Sequence, residues 1–308
     1  MKHPQLRYSL RQLRYFVATA ETLSFTGAAK ELHISQPSIS TALAELEACF
    51  DIQLFIRHHA SGLSLTQAGY EMLGKARALL KNAEELQSAA RDIDSGISGN
   101  IELGCMTSLA PPLLPRLLSR FMRTHTGITF HTHEASQDEL LAGLYDGTLD
   151  LALTYNIDLT DVVEFQPLLT LPPYVILPKR HPLTHNRTVS LASLQGAPYV
   201  MLDLPHSRDY FSRLFDPLGE PPTPIFRSSQ PEVVRGLVAN GLGYSILNFP
   251  LKSTRTVDGA EFAVRRFSDK VAAITLGIAQ AAGMKPRRAV HYFAKFCQEY
   301  IQSQYGQR

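Results

Sequence analysis

The chain has 308 residues, 44% of them hydrophobic, and a formal net charge of only +2. That length suggests two or three domains with real cores, and a charge this close to neutral excludes any argument for nucleic-acid binding from bulk electrostatics. No run of eighteen apolar residues exists, so no transmembrane helix and no membrane partner are expected. The opening residues Met1 to Arg7 start positive but lack the apolar run of a signal peptide, and the expected location is the cytoplasm. Cys49, Cys105 and Cys297 are odd in number and far apart, so buried reduced thiols are expected rather than a metal site or a disulfide framework.

In chain order, a loose basic arm over residues 1–8 precedes a first helix capped by Ser9, with Leu10, Leu13, Phe16, Val17 and Ala20 on one face. Ser24 then precedes Phe25, Ala28, Ala29 and Leu32, the face of a two-turn helix. Ser35 caps another helix, with Pro37 near its first position and Ile39, Leu43, Leu46 and Phe50 along its inner face. Only His33 and Ile34 separate the two helices, so they must cross steeply. This is the shape that lays a second helix in the DNA major groove. Two short β-type runs, Asp51 to Arg57 and Leu63 to Thr66, flank a polar turn and predict a hairpin wing. The adjacent His58 and His59 point to opposite faces of a strand with no third ligand near, so no metal is expected there.

Thr66 is expected to cap a long helix running to about Asp94. Met72, Ala76, Leu79, Ala83, Leu86, Ala90 and Ile93 recur along it at alternating spacings of four and three, the sign of a two-stranded coil and hence of a dimer. Ser95 to Asn100 reads as a hinge-like linker. From Ile101 the texture turns to alternating strands and helices, which indicates parallel sheets with ligand sites at the C-terminal strand ends. Strands are expected at Ile101 to Met106, Ile128 to His133, Asp150 to Tyr155, Pro172 to Pro178, Pro198 to Leu202, Tyr244 to Leu247, Phe262 to Val264 and Ala273 to Ile278. Helices are expected at Leu109 to Arg123, at Leu140 to Tyr145 behind a Ser136–Glu139 capping box, at Val233 to Asn240 behind a Ser229–Glu232 capping box, and at Arg287 to Gln302. His131 and His133 share an exposed strand face. Two groups of strands over about two hundred residues suggest two lobes with a cleft between them.

These residues carry a resemblance. Ser24-Phe25-Thr26, Ala28-Ala29, Leu32, Ser35-Gln36-Pro37-Ser38-Ile39-Ser40, Leu46-Glu47, Leu54-Phe55, Arg57 and Leu65-Thr66 with Ala68-Gly69 resemble the N-terminal signature of LysR-type transcriptional regulators. Leu114-Pro115, Leu149 to Leu153 and Gly241 to Tyr244 are similar to the family's effector domain. The resemblance implies an α/β protein built as an N-terminal winged helix-turn-helix, a long linker helix and a two-lobed effector domain like the periplasmic binding proteins. The expected ranges are 1–66, 67–95 and 96–308, with lobes of 97–168 plus 270–308 and of 169–269. It further implies a homodimer or homotetramer on double-stranded, pseudo-palindromic operator DNA.

Carried over by position, Ser35, Gln36, Pro37, Ser38, Ser40, Thr41 and Arg57 would face DNA. The Gln36 amide suits an adenine edge and Pro37 a thymine methyl, while Ser35, Ser38 and Arg57 suit phosphates. Many members carry arginine where this chain has Thr41, in keeping with the weak local charge of six basic against five acidic residues over 1–66. A small-molecule effector would lie between the lobes near Thr107, Ser108, Ser136, Tyr155, Asp203, His206, Ser207, Ser229 and Asn248. Several of these stand at expected helix N-termini, which favour an anion, so a small carboxylate is the first expectation. No cofactor, metal or catalytic residue is expected. Asp203, His206 and Ser207 have the residue types of a catalytic triad but sit too close along the chain to act as one. A transport binding protein would share the two-lobed fold but would not need the Ser24–Thr66 module.

Overall fold

The computed structural model describes residues 7–58, 62–91 and 98–306. Three serines begin the first three helices, α1 (Leu10–Thr22), α2 (Phe25–Glu31) and α3 (Gln36–Phe50). Ser9 Oγ accepts from the Gln12 amide at 3.3 Å and the Gln12 side chain accepts back from the Ser9 amide at 2.9 Å. Ser24 Oγ accepts from the Gly27 amide at 3.1 Å, and Ser35 Oγ from the Ser38 amide at 3.3 Å. Each bond satisfies an amide that the helix itself leaves open. The tight turn between α2 and α3 is made by His33 at φ +54°, and the Ile34 amide donates back to the Ala29 carbonyl at 3.0 Å. Leu13, Phe16, Ala28, Ala29, Ile39, Leu43 and Leu46 close the core between the helices. Leu10, at the first position of α1, is 46% exposed instead of inward. Tyr8, expected in a loose arm, packs its ring 5.1 Å from that of Phe50.

The wing is formed by β1 (Phe55–His58) and β2 (Gly62–Leu65), paired antiparallel. The turn with His59 lies outside the described residues. The next helix, α4 (Gln67–Arg91), starts where Thr66 Oγ1 accepts the Gly69 amide at 2.9 Å. Met72 and Ala76, two of the seven positions expected along a pairing seam, pack inside the N-terminal helical module with Leu73 and Leu80. Leu79 and Leu86 point outward, 38% and 74% exposed, and Ala83 is half-buried. The Ala90 side chain and Ile93 lie outside what is described. The reason is that α4 serves two surfaces: its first three turns close the core against α1, and only the later ones are left for another partner.

The rest of the chain forms two lobes. The first contains β3 (Gly99–Met106), α5 (Ala110–Met122), β4 (Ile128–Ala135), α6 (Gln137–Tyr145), β5 (Leu151–Tyr155) and β6 (Val163–Leu171). The second holds β7 (Tyr174–Pro178), β8 (Thr188–Val189), β9 (Tyr199–Leu202), α7 (Pro205–Arg213), β10 (Pro224–Ser228), α8 (Pro231–Ala239), β11 (Ser245–Leu247) and β12 (Phe262–Phe267). The chain then returns to the first lobe with β13 (Ile274–Ala281) and α9 (Arg288–Tyr305). The first sheet has the order β4-β3-β5-β13-β6 and the second β11-β7-β12-β8, with β9 and β10 paired beside it.

The sheets are mixed, where the alternating pattern suggested parallel ones. β3 runs parallel to β4 and β5, but β13 runs antiparallel to β5 and β6. The chain crosses between the lobes twice, and a strand that returns must enter its sheet from the opposite end. A second difference concerns Ser229. The helix α8 opens with Gln230 at its cap position, Pro231 at the first turn and no side-chain cap bond, so the second capping box does not form. Proline fixes the first-turn dihedral and thereby the start of the helix, which leaves the exposed Ser229 one residue too early.

The N-terminal helical module is tied to the first lobe through α4. Arg77 donates to Glu21 of α1 at 2.9 Å and to the Asp146 carbonyl, at the end of α6, at 2.8 Å. Lys81 and Arg287 share the Asp150 carboxylate at 3.1 and 2.5 Å, and all three side chains are at most 23% exposed. Gly74 and Gly147 let the two backbones touch: a Cβ on Gly74 would meet the Tyr145 carbonyl oxygen at 2.5 Å.

Candidate functional site

Two surfaces gather polar groups that the fold does not use up. On the first, the start of α3, Gln36, Pro37, Ser38 and Thr41 are exposed while Ile39 between them is buried. Apolar anchoring at Ile39, Leu43 and Leu46 therefore fixes the roll of the helix and turns its polar edge outward. Ser35 Oγ and Ser38 Oγ lie 2.7 Å apart, so two hydroxyls stand at the helix N-terminus where free amides already favour an anion. Ser40 is half-buried. Arg57 on the wing lies with its guanidinium 5.1 Å from the centre of the Phe25 ring, which holds a long flexible cation in place. Glu47, part of the quoted signature, does not face outward. Its carboxylate accepts the amides of Leu54 at 2.7 Å and Phe55 at 3.2 Å and fastens the wing to α3. Positioned hydroxyls and an amide at the start of α3 can hold phosphates and read base edges, and the wing arginine can hold a phosphate.

The second surface is the crevice between the lobes. Tyr155 at the end of β5 is 1% exposed, Asn248 just after β11 is 8% exposed, and Ser108 follows β3. Burial pushes the Tyr155 hydroxyl pKa up, and Ser108 and Asn248 are the neighbours that pull against it. Neither the Tyr155 hydroxyl nor Ser108 Oγ completes a well-formed hydrogen bond. Two buried hydroxyls and an amide, drawn from both lobes, thus converge at the C-terminal strand ends.

Nearer the mouth, Thr107, Ser136, Gln137, Leu204, Pro205 and His206 line a narrow hollow. Ser136 is held by its capping box, with Glu139 accepting its amide at 2.8 Å and its hydroxyl at 2.7 Å. His206 reaches across from α7: Nδ1 lies 2.9 Å from Asp158 and Nε2 2.8 Å from Asp138. The pKa of His206 is raised, by the bond to Asp138 first and to Asp158 second.

Other expected residues are committed elsewhere. Asp203 faces Arg208 at 3.3 Å and Arg227 at 3.7 Å and makes no pair with His206. Ser207 is 5% exposed, on the inner side of α7. Asp138, Asp158 and Gln137 escaped sequence reasoning. Asp138 sits in the first turn behind a recognised capping box, but nothing local connects it or Asp158 to residue 206. Gln137, 1% exposed, donates to the Ile157 carbonyl and accepts from Thr154 Oγ1 at 3.1 Å, which holds the loop bearing Asp158. His131 and His133 are exposed, as expected, and both reach the Glu102 carboxylate at 3.0 Å. Among the described residues no group of three His, Cys, Asp or Glu side chains is arranged to hold a metal ion.

Comparison with known proteins joins the two surfaces. The family described as bacterial regulatory helix-turn-helix protein, lysR family, matches residues 10–70, and the one described as LysR substrate binding domain matches residues 94–302. The chain is 35% identical over 251 residues to the HTH-type transcriptional regulator YnfL of Escherichia coli, covering 79% of this chain and 82% of that one. The structure is similar to that of HinK, a LysR family transcriptional regulator from Pseudomonas aeruginosa, with 36% identity, a TM-score of 0.64 and coverage of 96% and 99%. A full-length OxyR variant from the same organism aligns with a TM-score of 0.73 at 27% identity, covering 96% of each chain.

Proposed function

The chain belongs to the LysR family of transcriptional regulators, and from that premise we propose that paired copies of α3 read a pseudo-palindromic operator while a small carboxylate-bearing effector, held between the lobes, sets how those copies are spaced. Such a regulator is a DNA-binding protein with an effector-binding domain and not an enzyme. The reading assigns DNA recognition to residues 1–66, pairing to 67–95 and effector binding to 96–308, and it places the protein in the cytoplasm with its operator. No helix among the described residues is long and apolar enough to cross a membrane.

The observation that carries the effector site is the uncommitted pair of hydroxyls, Ser108 and Tyr155, facing Asn248 from the other lobe. Buried polar groups are normally hydrogen-bonded, and these are neutral donors of the kind that hold a carboxylate. The helices α7 and α8 begin without a side-chain cap, so their first amides add a favourable dipole for an anion. Several relatives are named hydrogen peroxide-inducible genes activators, but the two cysteines of the effector-binding region do not suit a peroxide-sensing thiolate. Cys105 and Cys297 are fully buried and their thiol pKa values are pushed up by that burial.

Outward Leu79 and Leu86 on α4 support pairing along the linker helix. Exposed Ile225 and Phe226 on β10 with Val233 on α8 offer an apolar surface for a further contact between copies, which supports the reading as a homodimer or homotetramer. Effector binding would shift lobe closure and, through that assembly, the angle between α3 copies. A thermal-shift screen of the full chain against small acids and small amines tests the site. Acids are expected to stabilise it and Tyr155→Phe to weaken the response, and stabilisation by amines alone would overturn the carboxylate assignment. Operator footprints with and without the stabilising acid test the mechanism, and identical protection in both would refute it. Leu79→Lys or Leu86→Lys is expected to dissociate the assembly in light scattering and to abolish tight operator binding.

A further inference from the structure

We propose that the proton is a second effector of this regulator, sensed by a latch in which His206 of one lobe is clasped between Asp138 and Asp158 of the other. Both ring nitrogens face carboxylates, at 2.9 Å for Nδ1 to Asp158 and 2.8 Å for Nε2 to Asp138. An ionised carboxylate only accepts hydrogen bonds, and a neutral imidazole offers one N–H and one lone pair. The neutral ring can therefore serve one aspartate while turning a lone pair on the other. The imidazolium donates to both, with charge on each side of each bond. The clasp as built is complete only when His206 carries its second proton.

The groups around the ring leave that role to these two acids. On α6, Glu139 next to Asp138 is folded back onto Ser136. The ends of β3 and β4 contribute Thr107 and Ala135, which carry no charge. On its own lobe, Arg208 is engaged by Asp203 and Asp209. Asp158 holds its place at φ +47°, a left-handed conformation that aspartate tolerates better than most residues but that still carries strain.

The sign of the pH dependence follows. The pKa of His206 is raised in the closed state relative to a free imidazole, so the latch contributes fully below about pH 6.5 and is lost as pH rises through the raised value. Closing the lobes takes up a proton, and alkalinity opens them. The signal has a short route outward, because α6 begins at the latch and ends at Asp146 and Gly147, against Arg77 and Gly74 of the helix that carries the DNA-binding module.

The latch lies in the cleft of the proposed effector site and its regulatory output rests on that reading, but its test needs no effector and so fails separately. Amide hydrogen exchange of the full chain, corrected for the intrinsic effect of pH, is followed in segments 156–162 and 203–212 at about pH 5.5 and about pH 8, either side of the usual histidine range. Protection of both segments is expected to fall several-fold at the higher pH. His206→Gln, which cannot carry the charge, is expected to exchange at the high-pH rate throughout. Asp158→Asn, which leaves a single carboxylate that a neutral ring can serve, is expected to lose part of the pH dependence. Protection that does not change with pH in the unaltered chain, or an unchanged pH dependence in either variant, would overturn the latch.

Discussion

At the start of α3, Gln36, Pro37, Ser38 and Thr41 lie within two turns of one helix and all face solvent. In the crevice, Ser108, Tyr155, Asn248 and His206 come from four separate strand ends and helices and all are at least partly buried. The start of α3 is a local product: one cap, one proline and one apolar stripe present these four groups. The second exists only once two sheets, joined by two crossings, have closed on each other. Changes at the first surface should therefore act one residue at a time on DNA, while changes at the second should act jointly on ligand, proton and lobe position.

The largest expected effect separates the two by stability. Phe16→Ala empties the middle of the DNA-binding core, where Phe16 is 0% exposed, and should remove about 3–5 kcal/mol. Operator binding should be lost while a ligand-induced thermal shift of the effector domain persists, and loss of both would show that the regions do not fold independently. Asp150→Ala should cost about 3 kcal/mol in a denaturant titration, because it leaves Lys81 and Arg287 without the carboxylate they share. It is the one substitution of this set expected to weaken both regions, since Lys81 belongs to α4 and Arg287 to the approach of α9.

Gln36→Ala should leave the melting temperature unchanged and remove about 1–3 kcal/mol of discrimination at one base pair, read by competition between operator variants. A uniform loss over all sequences would reassign Gln36 to the phosphates. The smallest effects compare caps. Ser136→Ala should cost about 1 kcal/mol because its capping box forms. Ser229→Ala should change stability by less than about 0.5 kcal/mol, because that residue caps nothing. Equal losses at the two serines would contradict the helix start at Pro231.

Much of this molecule was legible in its letters. The Ser9, Ser24, Ser35, Thr66 and Ser136 caps, the helix pair, the wing and the alternation of strands and helices all stand where the pattern put them, because a side chain that bonds a backbone amide three residues ahead is encoded by near neighbours. The apolar spacing of α4 was legible too, but not its division of labour. Periodicity says which residues share a face and not which neighbour covers it, and α1 took Met72 and Ala76. Only the tertiary structure decided that Asp203 belongs to Arg208 and Arg227, that Glu47 holds the wing, and that His206 meets Asp138 and Asp158. Asp158 and Asp138 lie 48 and 68 residues from His206 along the chain, and their meeting depends on where two sheets are brought to rest, which no short stretch of sequence specifies.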